Sequence, residues 1–226
     1  MIPVLSAEVV RAWDAYTIQH EPIASIDLME RAATRCFEWI CSKWNYNHTF
    51  NVFCGNGNNG GDGLAIARLL FLSNYKVSVY ILPEGNRSPD NQINYNRLCA
   101  IAEHVVHSMP KEIAPSKDVI CIDALLGTGL TQGVKEPIKT IINQMNQVEL
   151  TMVSIDLPSG MNSDHFSSHE TMVKANYTLT FQCYKPAFLS KEAEQYCGEI
   201  TVLDIGLHPR FLEKEIKKED NLPSSY

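Results

Sequence analysis

No stretch of the chain approaches the roughly 20 consecutive apolar residues that a membrane helix requires, although 45% of its 226 residues are hydrophobic. The opening Met1-Ile2-Pro3-Val4-Leu5-Ser6 lacks a basic segment followed by an apolar core, so no secretory signal is expected. Positive charge is scarce as well. Nineteen Lys and Arg stand against 26 Asp and Glu, a formal charge of −7, which argues against a surface built to neutralise nucleic-acid phosphates. The seven cysteines, at 36, 41, 54, 99, 121, 183 and 197, form no C-x-x-C pair and are odd in number. Several lie in apolar strand-like runs such as Val119-Ile120-Cys121-Ile122, the pattern of buried free thiols in a reducing compartment. A cytoplasmic protein with neither membrane nor nucleic acid as partner is the expectation.

What is present is a regular alternation. Ser6 to about His20 reads as a helix with Ser6 as N-cap, interrupted by Pro22. A second helix starts near Ser25 and carries Leu28, Met29, Ala32, Ala33, Phe37 and Ile40 at helical spacing. Beyond Asn47, apolar runs predict strands at Phe50 to Cys54, Val77 to Leu82, Val119 to Ile122, Thr151 to Ile155, Tyr177 to Phe181 and Ile200 to Ile205. Helices are predicted near Gly61 to Asn74, Asn91 to Ile101 and Lys135 to Met145. Near-continuous apolar strands suit burial on both faces. The alternation therefore predicts an α/β fold, a three-layer α/β/α Rossmann-like sandwich with a mainly parallel central sheet. It occupies residues 1–210; the charged run from Phe211, ending Pro223-Ser224-Ser225-Tyr226, reads as a linker-like tail over 211–226.

Five of the twelve glycines fall in Gly55-Asn56-Gly57-Asn58-Asn59-Gly60-Gly61-Asp62-Gly63, between an apolar strand and a helix. Glycines there permit turns of positive φ and let backbone N–H groups approach a phosphate, to which the helix N-terminus adds its positive dipole end. Gly55-x-Gly57-x-x-Gly60 matches the dinucleotide fingerprint, with Glu84 at the end of the next strand where a ribose-binding acid would sit. A ligand-free strand–helix turn is the bland alternative. No lysine lies between Asn51 and Leu72, so a Walker-type loop is disfavoured.

Two further acids follow apolar strands and open small-residue turns: Asp123, before Ala124-Leu125-Leu126-Gly127-Thr128-Gly129-Leu130, and Asp156, before Leu157-Pro158-Ser159-Gly160. All carboxyl ends of a parallel sheet point to one edge, so these acids and the glycine segment are expected to converge. Capping of turns is the alternative role for each.

These motifs, in this order, resemble the YjeF N-terminal domain family, the NAD(P)H-hydrate epimerases. Leu28-Met29-Glu30-Arg31-Ala32-Ala33, Thr178-Leu179-Thr180-Phe181, Lys185-Pro186 and Gly198-Glu199-Ile200-Thr201 add to the resemblance, which spans residues 5–209. Ala187 stands where the family usually has glycine, and Asn176 where aspartate is common. The resemblance implies that Asn58, Asn59, Gly60, Gly61 and Asp62, with Gly127, Thr128, Gly129, Leu130, Thr131, Gln132 and Gly133, hold the phosphates and ribose of hydrated NADH or NADPH. It implies a potassium ion on Asn59, Asp123 and Ser159, and Asp156 at the nicotinamide end as substrate-binding and catalytic residue. A homodimer, and a fused or cooperating dehydratase domain, are also implied.

The family's substrate carries a hydroxyl on a carbon bonded to the ring nitrogen. The nitrogen lone pair stabilises the cation left when that hydroxyl departs, and water returning to the other face inverts the centre. Asp156 is the expected proton carrier. Two other functions compete. An NAD-dependent dehydrogenase rests on the glycine fingerprint and Glu84; a non-catalytic nucleotide-binding scaffold rests on the independence of function from fold. His104-Val105-Val106-His107 and His165-x-x-x-His169 lack the acid of an H-E-x-x-H metal site and read as surface or packing histidines. Cys54 reads as a buried strand end, and Trp13, Trp39 and Trp44 as packing or subunit contacts.

Overall fold

The computed structural model describes residues 2–82, 85–130, 133–167 and 170–213. Glu84, Thr131, Gln132 and His169, and the tail from 214 onward, lie outside the described residues. Seven strands form one sheet in the order β3-β2-β1-β4-β5-β6-β7. They are β1 (Thr49–Cys54), β2 (Lys76–Ile81), β3 (Val106–Ser108), β4 (Val119–Ala124), β5 (Thr151–Ile155), β6 (Tyr177–Phe181) and β7 (Glu199–Leu203). Every neighbouring pair is parallel. The strand order reverses between β1 and β4, and at such a switch point a crevice opens beyond the carboxyl ends.

Side chains alternate across the sheet as strand geometry requires. Phe50, Val52, Cys54, Ile120, Ile122 and Val153 join one core with residues of α2 (Ser25–Lys43), α3 (Asn58–Leu72) and α4 (Pro89–Ala102). Phe53, Cys121 and Met152 face the other way, onto Ile141, Ile142 and Met145 of α5 (Ile138–Gln147). The three layers are thus as expected. Glu30 of α2 binds Arg68 of α3 and lies 3.5 Å from Arg97 of α4, linking the helices of one layer.

The first helix, α1 (Ala7–His20), is capped by Ser6, whose hydroxyl accepts from the Val9 N–H. It crosses to the far end of the chain. Its Trp13 indole donates to the His208 carbonyl at 2.9 Å, and the Thr17 hydroxyl accepts from the His208 N–H. Trp13, Leu28, Ile205, Leu207 and Phe211 close this seam as a small apolar cluster. Trp39 and Trp44 pack edge-on against Tyr177, so all three tryptophans serve packing. The cysteines are free thiols, five of them buried.

Two expectations need correction. α3 starts at Asn58, not near Gly61, so the expected loop is largely the first turns of a helix. Glycine is a poor helix former and conceals this in the sequence, but close packing demands it. A Cβ on Gly60 would lie 1.9 Å from the Gly55 carbonyl oxygen, and one on Gly55 1.9 Å from that of Leu125. None of the five glycines has positive φ; Gly55, Gly60, Gly61 and Gly63 serve close approach, not turning, while a Cβ on Gly57 would meet nothing within 4 Å. α5 begins at Ile138 instead of Lys135, with Pro137 as its N-cap residue.

Candidate active site

A cavity of about 740 Å³ opens at the carboxyl edge of the sheet, within the range of small-molecule sites. The ends of five strands contribute: Asn56 to Asn59 after β1, Leu82 after β2, Leu125 to Leu130 after β4, Asp156 after β5, and Gln182 and Lys185 after β6. Val10, Arg11 and Asp14 of α1 supply a further wall. Of the residues expected to hold a ligand, Asn58, Asn59, Asp62, Gly127, Thr128, Gly129, Leu130, Gly133 and Asp156 border this space. Gly60 and Gly61 do not; they lie buried where α3 meets Gly55, Asn91 and Met29. The α3 N-terminus opens on the cavity at Asn58 and Asn59, and its first N–H groups have no intrahelical acceptor.

Beneath the cavity floor lies a polar knot. Asp123 is fully buried near the end of β4, in register with Ser154 on β5. Its carboxylate accepts from the Ser154 hydroxyl (2.8 Å), the Ser159 N–H (2.8 Å), the Ser159 hydroxyl and the Leu125 N–H (3.3 Å). Burial pushes its pKa up, and the hydrogen bonds from Ser159, Ser154 and Leu125 oppose that rise. No ion pair among the described residues involves it. The Asn59 amide donates to the Leu126 carbonyl at 2.8 Å, while its buried Oδ1 has no protein partner. A buried carboxylate without a cation and an orphaned amide oxygen each leave an electrostatic debt. With the Ser159 hydroxyl and the Leu126 carbonyl they form an all-oxygen donor set, which suits a hard cation.

Asp156 sits directly after β5 with φ of 65°, in the left-handed region that aspartate tolerates better than most residues. The Leu157 N–H reaches back to the Ile155 carbonyl at 2.8 Å, the geometry of a γ-turn. Gln182 repeats the arrangement after β6, with φ of 62° and the Cys183 N–H on the Phe181 carbonyl at 2.7 Å. Both residues line the cavity, and Gln182 Oε1 accepts from the Ile205 N–H at 3.0 Å and the Leu207 N–H at 3.5 Å.

Lys185 meets Asp156 there. Its ammonium lies 3.0 Å from Asp156 Oδ1 and donates to the Phe181 carbonyl at 3.1 Å. The lysine side chain is 1% exposed and the aspartate 14%. Thr180 adds a longer hydrogen bond to the same carboxylate oxygen, at 3.3 Å. Burial, and then the charge of Asp156, push the Asp14 carboxyl up to about 7 against the pull of Lys185. Asp62 is raised well above the usual carboxylate range by burial, followed by Asp156, Asp14 and Asp90.

Sequence reasoning assigned no role to Lys185, Asp14 or Gln182. Lys185 had a visible signal, since it interrupts the apolar-rich Cys183-Tyr184-Lys185-Pro186-Ala187-Phe188. Asp14 had a fainter one, a carboxylate between the buried Trp13 and Thr17. The two departures from the family pattern have simple structural accounts. Asn176 Oδ1 accepts from the Met152 N–H at 2.7 Å, as a carboxylate would. Ala187 packs in a buried apolar cluster with φ outside the left-handed region, so glycine's freedom is not needed. Cys54 is fully buried, and burial raises its thiol pKa, as suits a core residue.

The model of the YjeF-related protein N-terminus matches residues 25–187. A "NAD(P)H-hydrate epimerase" of Limosilactobacillus fermentum is 32% identical over 200 residues, covering 88% of this chain and 95% of that protein. A "Bifunctional NAD(P)H-hydrate repair enzyme Nnr" of Coxiella burnetii is 35% identical over 189 residues, covering 84% of this chain. The match takes in only 38% of that longer relative, so this chain spans about two fifths of its length. In fold, the chain resembles the crystal structure of yeast ynu0, with a TM-score of 0.78 over 94% of this chain and 93% of the other, at 23% identity.

Proposed function

The chain belongs to the family of YjeF-related protein N-termini, and from that premise we propose that it is an NAD(P)H-hydrate epimerase, interconverting the two epimers of hydrated NADH or NADPH. One observation carries the reading. The α3 N-terminus, the turn after β4 and the acid after β5 border a single cavity on one edge of the sheet. The names of relatives aligned over nearly their whole length agree with it. They favour it over the dehydrogenase and scaffold readings.

In this reading the N-terminal turn of α3 and the Gly127–Gly133 segment hold the dinucleotide's phosphates and ribose, with the reduced ring against Asp156. The carbon–oxygen bond breaks as the ring nitrogen donates its lone pair, and the departing hydroxyl takes a proton to leave as water. A second water adds to the opposite face and gives up a proton. Asp156, fixed by Lys185 and Thr180, is placed to exchange protons with the oxygen on its side. General acid–base help of this kind contributes roughly 10²–10⁴-fold. Asn59, Asp123, Ser159 and the Leu126 carbonyl would hold potassium, which would offset the buried charge of Asp123 and steady the floor of the site. Residues 1–210 form the catalytic unit, acting in the cytoplasm as a homodimer and supplying a dehydratase, fused or separate.

Stereospecific NMR of a hydrated-NADH mixture, with and without the protein, tests the activity. Asp156→Asn should fold and bind ligand yet lose exchange between epimers. Near-normal exchange in that variant would remove Asp156 from the mechanism.

A further inference from the structure

Epimerisation requires protons to be handled on both faces of one carbon, because hydroxide leaves from one side and water returns to the other. Asp156 serves one side only. We propose that Asp14, on the first helix, is a second catalytic residue, exchanging protons on the substrate face opposite to that served by Asp156. The inference rests on the epimerase reading of the site.

Geometry carries the case. Asp14 and Asp156 border the same cavity from separate walls, one on α1 and the other at the end of β5. The helix is held in place along its length. The Ala7 N–H donates to Asp164 at 2.8 Å, the Trp13 indole to the His208 carbonyl, and the His208 N–H to Thr17. Trp13 and Thr17 are buried on the packed side, which leaves Asp14 facing the cavity. Among the described residues Asp14 makes no hydrogen bond or ion pair that would occupy its carboxyl.

The two carboxyls differ in surroundings. Asp156 is ion-paired with Lys185 at 3.0 Å. Asp14, raised to about 7 by burial and by the neighbouring charge, carries a proton through much of the neutral range. The other charged groups around the cavity are Arg11, Asp62, Lys135 and Glu136, and His208 lies on the segment packed against α1. One proton shared between two acids meets the needs of an inversion. In one direction Asp14 gives its proton to the hydroxyl as the carbon–oxygen pair moves to oxygen, and water forms. A second water bonds to the carbon from the other side and passes its proton to Asp156. The reverse reaction starts with the proton on Asp156 and ends with it on Asp14. Solvent returns the proton between turnovers, so no other reactant is consumed.

The test follows epimer exchange in hydrated NADH by NMR for the parent, Asp14→Asn and Asp14→Glu, across about pH 5–9. Asp14→Asn should lose about 10²-fold or more in exchange while binding the hydrated dinucleotide and melting as the parent does. The parent's exchange should fall above about pH 7, where Asp14 gives up its proton, and Asp14→Glu should restore part of the rate with a displaced profile. Should Asp14→Asn fail to fold, carboxyl-¹³C NMR of the parent decides: an aspartate signal titrating near 7 that Asp14→Glu removes supports the proposal, and its absence overturns it. Exchange by Asp14→Asn within about threefold of the parent overturns this proposal alone. A parent that does not interconvert the epimers overturns the epimerase reading, and this inference falls with it.

Discussion

Replacing Lys185 by methionine tests how the site is held together. Methionine retains much of the aliphatic stem but removes an ammonium that is 1% exposed. Asp156 then keeps only the 3.3 Å hydrogen bond from Thr180 as side-chain support, and the Phe181 carbonyl loses a donor. Removing one member of a buried ion pair typically costs about 3–5 kcal/mol, because the other charge is left uncompensated. Asp156 retains 14% exposure, so the low end, about 3 kcal/mol, is expected. For a domain of this size that lowers the melting temperature by about 6–12 °C. The double variant Lys185→Met/Asp156→Asn removes both charges and should recover at least about half of the loss. Thermal and urea unfolding at neutral pH measure all three proteins, and unfolding at acid pH, where an orphaned carboxyl can protonate, should narrow the gap. A single variant melting within about 2 °C of the parent, or a double variant no more stable than the single, would refute this account of the pair.

Two other perturbations probe the floor of the site. If Asn59, Asp123 and Ser159 hold a monovalent cation, the parent gains about 1.4 kcal/mol at ten times the dissociation constant. It should therefore melt a few degrees higher in potassium chloride than in choline chloride, a difference that Asn59→Ala abolishes; equal melting of the parent in both salts speaks against the cation. Gly160 has φ of +99°, and a Cβ there would lie 2.0 Å from the Thr171 carbonyl oxygen, so Gly160→Ala combines left-handed strain of about 1–3 kcal/mol with a backbone clash. Soluble expression and melting should both collapse, and a variant melting like the parent would show that the loop yields freely.

The sheet was legible in the sequence because its strands are short apolar runs whose length and spacing leave few options. Strand β5 (Thr151–Ile155) and strand β6 (Tyr177–Phe181) coincide with the predicted spans. The start of α3 was not legible, since helix propensity reads Gly60-Gly61-Asp62-Gly63 as a loop; only neighbours brought close by the fold explain those glycines, the Gly55 carbonyl at Gly60, Met29 at Gly61, and Ala124 and Cys54 at Gly63. Within the candidate site, Asp123 and Asp156 stood out because each follows an apolar run, whereas Asn59 and Ser159 as cation ligands came only with the family resemblance. Lys185 and Asp14 could not be paired with them by any local rule. Their proximity is a product of tertiary folding, 29 residues separating Lys185 from Asp156 in the chain and 142 separating Asp14 from it.

The paired turns after β5 and β6 carry a lesson about drift. Aspartate at 156 and glutamine at 182 occupy backbone angles in which glycine would rest more easily. Robustness alone would surrender neither position, because Asp156 pairs with the buried Lys185 and Gln182 Oε1 accepts from the Ile205 and Leu207 N–H groups. Drift to glycine at either turn would relax the backbone yet strand a buried ammonium or two N–H groups.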